Sequence, residues 1–138
     1  MEQFAQYGHA IVALSATALF GLILAPMAGM MKTKLGIAPG STPSGDYSDP
    51  AFRLHRAQLN LAESIGFFAV VTFAAMFAGA NPYWVNLLAS AYFISRIVLA
   101  VVHIKGIGSP NMGPRTFIYV AGWLCLVVMA VLTIVRVF

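Results

Sequence analysis

The chain has 138 residues, 60% of them hydrophobic and 9% charged, and a formal net charge of +4. Soluble domains carry about 25% charged residues, so a fold with water on every side is excluded. The eight Lys and Arg residues are too sparse for a nucleic-acid surface, and the single cysteine, Cys125, excludes an internal disulfide.

A bilayer core calls for roughly 20 apolar residues in a helix. The first segment of that kind runs from about Tyr7 to Met31. It has no basic stretch before it and is longer than a signal-peptide core, so it is read as a retained span. Lys32 to Phe52, containing GIAPGSTPSGDYSDP, reads as an irregular polar loop. The second span runs from about Arg56 to Ala80 and the third from about Tyr83 to His103. Gly79-Ala80-Asn81-Pro82 forms a tight turn between them and makes an antiparallel hairpin. A shorter Gly/Pro loop, Ile104 to Pro114, leads to a fourth span from about Arg115 to Val137. The expected fold is all-α: one integral membrane four-helix bundle occupying residues 1–138.

Positive charge sets the expected orientation. The first and third connections and their borders hold Lys32, Lys34, Arg53, Arg56, Lys105 and Arg115, whereas the opposite side holds only Arg136. The positive-inside rule puts loops 32–52 and 104–114 in the cytoplasm and both termini outside.

The chemistry-bearing residues cluster toward that end. Arg53, Arg56, Asn60 and Glu63 fall within an arc of about 80° on one helical face, with Ser64 beside them. Such groups are costly against lipid and must turn toward other helices or a wet cavity. Arg96 and His103 lie two turns apart on one face of the third span, Arg96 about 10 Å below its end. Glu63, the one acidic residue within a span, is the expected ion-pair partner of Arg96. That pair serves equally to fasten two helices or to furnish a site. Arg53, Arg56 and Arg115 have no nearby acids to match them, which suits planar, bidentate donors for an anionic ligand. Topology and lipid-headgroup contact explain one or two of the three as well. Tyr119, one turn below Arg115, suits an interfacial anchor or a ligand donor. A lone His103 without a second His or a Cys argues against a metal, and His9 and His55 are expected at the surface.

These residues resemble the MAPEG family, membrane-associated proteins of eicosanoid and glutathione metabolism. The pattern R-x-x-R-A-Q-x-N-x-x-E appears as Arg53, Arg56, Ala57, Gln58, Asn60 and Glu63, followed by Phe68, at the start of the second span. Arg96 in the third span and Pro114-Arg115-Thr116-Phe117-Ile118-Tyr119 at the start of the fourth extend the likeness over nearly the whole chain. The resemblance implies a homotrimer that binds glutathione between protomers at the cytoplasmic side. It assigns glutathione contacts to Arg53, Arg56, Gln58, Asn60, Glu63, Arg96, His103 and Tyr119, with a weaker correspondence at Lys32. It makes Arg115 the residue that steadies the glutathione thiolate. Gly66 replaces a proline common in the family, His103 replaces the tyrosine of eicosanoid enzymes, and Leu99 replaces a histidine of some members.

The implied activity is that of a glutathione-dependent transferase or peroxidase acting on lipophilic electrophiles or hydroperoxides drawn from the bilayer. Two alternatives stand beside it: a non-catalytic, lipid-binding member of the same family, and a structural subunit of a larger membrane complex. The arginine at position 115 favours catalysis. A transporter is disfavoured because paired, interrupted helices are absent from the pattern.

Overall fold

Proline opens three of the long helices and a left-handed glycine follows the end of three, and these punctuation marks set the frame. A computed structural model describes residues 2–38, 40–108 and 112–138. After a short turn of helix, α1 (Glu2–Ala5), come α2 (Gly8–Lys34), α3 (Pro50–Phe77), α4 (Pro82–Lys105) and α5 (Pro114–Val137). α2 to α5 are each long and apolar enough to cross a membrane. Pro50, Pro82 and Pro114 stand at the first helical position, where the missing N–H is no loss and the fixed φ suits a helix.

The loop before α3 is shorter than the sequence pattern suggests, because α2 continues to Lys34 and α3 begins at Pro50 rather than near Arg56. Asp49 is the reason: its Oδ1 accepts the Ala51 N–H at 2.8 Å and caps the helix. The tight turn after α3 is present, with Gly79 at φ 65° and Asn81 Oδ1 accepting the Tyr83 N–H at 3.0 Å. α4 ends at Gly106, φ 68°, where the Ile107 N–H bonds the Val102 carbonyl and the Gly106 N–H bonds that of His103, both at 3.0 Å. Residues 109–111 of the following loop lie outside the described residues.

α4 is the hub, packing on α2, α3 and α5. Two apolar cores result. The one at the chain-termini end draws on all four spans, among them Ala10, Phe68, Val85, Tyr92 and Met129. Phe68 and Tyr92 stack at 4.2 Å, and the Tyr92 hydroxyl donates to Ser64 Oγ at 2.8 Å, so the tyrosine is buried with its polar tip satisfied. The second core, toward the loop end, is made by Leu24 and Ala28 of α2, Leu54, Ala57 and Leu61 of α3, and Ala100 of α4. α5 contributes no buried residue to it. A cleft opens at the loop end, between this core and the start of α5.

The surface is apolar: Phe67, Val70, Phe73 and Phe77 of α3 and Val131, Ile134 and Val135 of α5 are exposed. Lys32, Arg96, His103 and Arg115 are buried. That inversion is the expected solution in lipid, where polar groups must be satisfied within the protein. His55 is buried too, contrary to the surface position expected for it. The early start of α3 explains this, since it places His55 one turn after buried Ala51, on the packed side of a formed helix.

Polar clamps close the opposite end. Tyr7 donates to the Ala80 carbonyl at 2.6 Å, and Arg136 Nε donates to that of Gly79 at 3.0 Å. Asn86 accepts the Ala10 N–H at 2.9 Å and donates to the Gln6 carbonyl at 2.7 Å. It thus caps α2 from a neighbouring helix, where no residue of α2's own caps it through a side chain. Asn86→Ala removes both bonds and is expected to destabilise the bundle by about 1–3 kcal/mol. Thermal unfolding in detergent checks this; a melting temperature equal to wild type would show that the clamp adds no stability.

Candidate functional site

The cleft at the loop end has a volume of about 350 Å³. α3 supplies Arg56, Asn60 and Glu63; α4 supplies Leu99 and His103; α5 supplies Arg115, Thr116 and Tyr119. Antiparallel packing brings these groups together, because the start of α3, the end of α4 and the start of α5 meet at one end. Asn60 Nδ2 lies 3.4 Å from His103 Nε2. Asn60 Oδ1 and His103 Nδ1 are both buried without a hydrogen-bond partner among the described residues.

Below this cleft lies a second, of about 300 Å³, which shares Glu63 and Tyr119 with the first. Phe67, Val71, Tyr92, Trp123, Leu126 and Val127 make it mostly apolar, and Arg96 lies at its wall. The two form a groove between α3 and α5, polar at the loop end and greasy toward the bundle centre.

Three of the nine sequence-derived site residues do not line the first cleft. Arg53 is committed to backbone: Nη1 donates to the Tyr47 carbonyl at 2.8 Å and that of Ser48 at 2.9 Å, and Nε to that of Ile104 at 3.2 Å. Its stem lies flat across Gly106, whose left-handed backbone and lack of a side chain admit it. Gln58 lies in a groove of about 380 Å³ between α2 and α3, among Ala18, Gly21, Leu22 and Ala25. At about 100° per residue, position 58 is roughly opposite the Arg56–Asn60–Glu63 stripe, so one helix cannot aim all four at one point.

Arg96 is the third. The expected Glu63–Arg96 ion pair is absent among the described residues. Arg96 Nη2 donates instead to the Tyr119 carbonyl at 3.1 Å, and Nε to Ser95 Oγ at 3.2 Å. Its guanidinium stands over the rings of Tyr92 and Tyr119, at 5.0 and 5.2 Å. Gly122 makes this possible. A Cβ there would collide with Arg96 Nη2 and Ser95 Oγ, so the glycine is a notch that admits the guanidinium to the α5 backbone.

Tyr47, in the loop before α3, is not singled out by the sequence pattern, yet it lines the cleft. The Arg115 guanidinium lies 3.8 Å from its ring centroid. The ring also stacks on His103 at 5.8 Å and meets Phe52 edge-on at 5.4 Å. Asp46 Oδ1 accepts the Ser48 N–H at 2.8 Å and closes the turn that carries Tyr47; bonds from Ser48 hold the Asp46 carboxyl below its ordinary value. Among the described residues, no three His, Cys, Asp or Glu side chains are grouped to hold a metal ion.

The fold and cleft define a class: a four-span membrane protein with an arginine-lined, aromatic-edged cleft at one end that runs into an apolar groove. The MAPEG family model matches residues 9–135, nearly the whole length, and the chain belongs to the MAPEG family. That membership places it among membrane proteins of eicosanoid and glutathione metabolism in general. No curated protein and no solved structure matches the chain.

Gly122→Ala should displace Arg96 from Tyr119 and destabilise the protein by about 1–3 kcal/mol. The loss should shrink when Arg96 is first replaced by Met. Additive losses in a double-mutant cycle of melting temperatures would show that the two residues do not depend on each other.

Proposed function

We propose that the cleft binds glutathione as its thiolate and that the protein transfers it to lipophilic electrophiles taken from the bilayer. The observation that carries this reading is the convergence of Arg56, Asn60, Glu63, His103, Arg115 and Tyr119 on one cleft that continues into an apolar groove. Its volume of about 350 Å³ is within the range of small-ligand pockets.

The residues complement the tripeptide. Glutathione carries two carboxylates, one ammonium and a thiol. Arg56 suits a carboxylate, and Glu63, the one acid within a span, suits the ammonium. Asn60 and His103 line the cleft and suit its amide groups. Arg53 and Arg96, occupied with backbone carbonyls, shape the site from outside. Arg115 stands at the start of α5, where the helix dipole also favours an anion.

A free thiol ionises near pH 8.5, and a guanidinium within bonding distance lowers that value by favouring the charged form. The proton leaves to solvent at the mouth. The thiolate sulfur then forms a bond to an electrophilic carbon, and the leaving group departs with its electron pair. With a hydroperoxide the sulfur instead attacks the terminal oxygen, releasing an alcohol, and a second glutathione converts the sulfenic acid to a disulfide and water.

Gln58 supports assembly as a homotrimer: it faces a groove of small residues on α2 and α3, the face we assign to the neighbouring subunit. The basic loops orient the cleft toward the cytoplasm, where glutathione is available.

Calorimetry of glutathione with the detergent-solubilised protein is expected to show saturable binding, with thiolate absorbance at about 240 nm. Arg115→Ala should remove that band and lower turnover about 100- to 1,000-fold, with assembly unchanged. Unchanged turnover would take Arg115 out of the mechanism. Absence of any binding to wild type would leave the non-catalytic, lipid-binding role.

A further inference from the structure

We propose that Tyr47 is a positioning residue for Arg115: its ring sets the guanidinium plane so that the N–H donors aim along the cleft at the ligand's sulfur. The role rests on the glutathione reading above and deepens it. A guanidinium has its five N–H groups in its own plane, whereas its two flat faces are weakly hydrated and stack on aromatic rings. With its central carbon 3.8 Å from the Tyr47 centroid, the Arg115 guanidinium lies over the ring, which covers one side of it. The arginine thereby loses the freedom to swing out toward headgroups.

The ring itself is fixed on three sides. His103 stacks on it, Phe52 meets it edge-on, and the loop backbone at Tyr47 and Ser48 is bound by Arg53. Arg53 is bound in turn to the Ile104 carbonyl at the end of α4. A chain of contacts thus runs from the end of α4 through Arg53 and Tyr47 to Arg115. It supplies at the loop end the α5 anchorage that the apolar core does not provide there. It also gives Arg53 a task other than holding ligand, which accounts for a cation near the cleft whose bonds all go to carbonyls. The effect on the thiol is electrostatic and steric: an oriented donor stabilises the thiolate more than one that samples several rotamers.

The test uses the full-length protein with glutathione and 1-chloro-2,4-dinitrobenzene. Tyr47→Phe keeps the ring and should retain the thiolate band and turnover within about three-fold. Tyr47→Leu should raise the apparent pKa of the bound thiol, seen in the pH dependence of the absorbance. It should lower kcat about ten-fold or more and change the KM for glutathione much less. A ring-trifluorinated phenylalanine at position 47 preserves shape while cancelling the ring quadrupole. It should behave as Leu does, and it serves where the leucine variant fails to fold. If wild type binds glutathione as thiolate and the leucine or fluorinated variant matches it, the positioning role is wrong and the function stands. The positioning role is equally wrong if Tyr47→Phe loses as much as Tyr47→Leu. If wild type shows no thiolate, both proposals fall together.

Discussion

A guanidinium inside a bilayer-spanning bundle must find compensation, and this chain has one carboxylate within its spans to offer. The arginines are satisfied by carbonyl oxygens and aromatic faces instead. Arg53 takes three carbonyls, Arg96 one carbonyl and two tyrosine rings, and Arg115 the face of Tyr47. Carbonyls and rings are neutral, so they stabilise a cation without cancelling its charge. Glu63 stays unspent on Arg96.

The same constraint shapes the fold. Gly122 and Gly106 are absences of side chain that let an arginine reach backbone, and each sits opposite the guanidinium it admits. The loop-end core leaves out α5, so the helix carrying Arg115, Thr116 and Tyr119 is held to its neighbours by polar and aromatic contacts. Apolar packing there would have filled the volume that the cleft occupies. The deeper groove, with Phe67, Trp123 and Val127, is the continuation that a ligand with a greasy half requires.

Much of this was legible in the residues. Four apolar runs gave four helices, and helical periodicity put Arg56, Asn60 and Glu63 on one face that does line the cleft. Antiparallel order then brought His103, Arg115 and Tyr119 to the same end. Periodicity fails where it carries no information. It fixes which side of a helix a residue takes, but not which neighbour a long side chain reaches, so Arg96 could be placed while its partner could not. It says nothing about an irregular loop, and Tyr47 was missed for that reason. The signal for the early start of α3, Asp49 followed by Pro50, was present as a cap-and-proline pair within a stretch read as loop. Gln58 came from family resemblance alone, against its helical angle.

The role proposed for the cleft is to surround a small anionic peptide. An experimental density map of the protein in lipid nanodiscs, with glutathione added, tests that most directly. The expected result is a bent density bounded by Tyr47, Asn60, Glu63 and Arg115, its sulfur nearest Arg115. Density elsewhere, or a closed cleft with Arg115 turned out to the lipid headgroups, would contradict it.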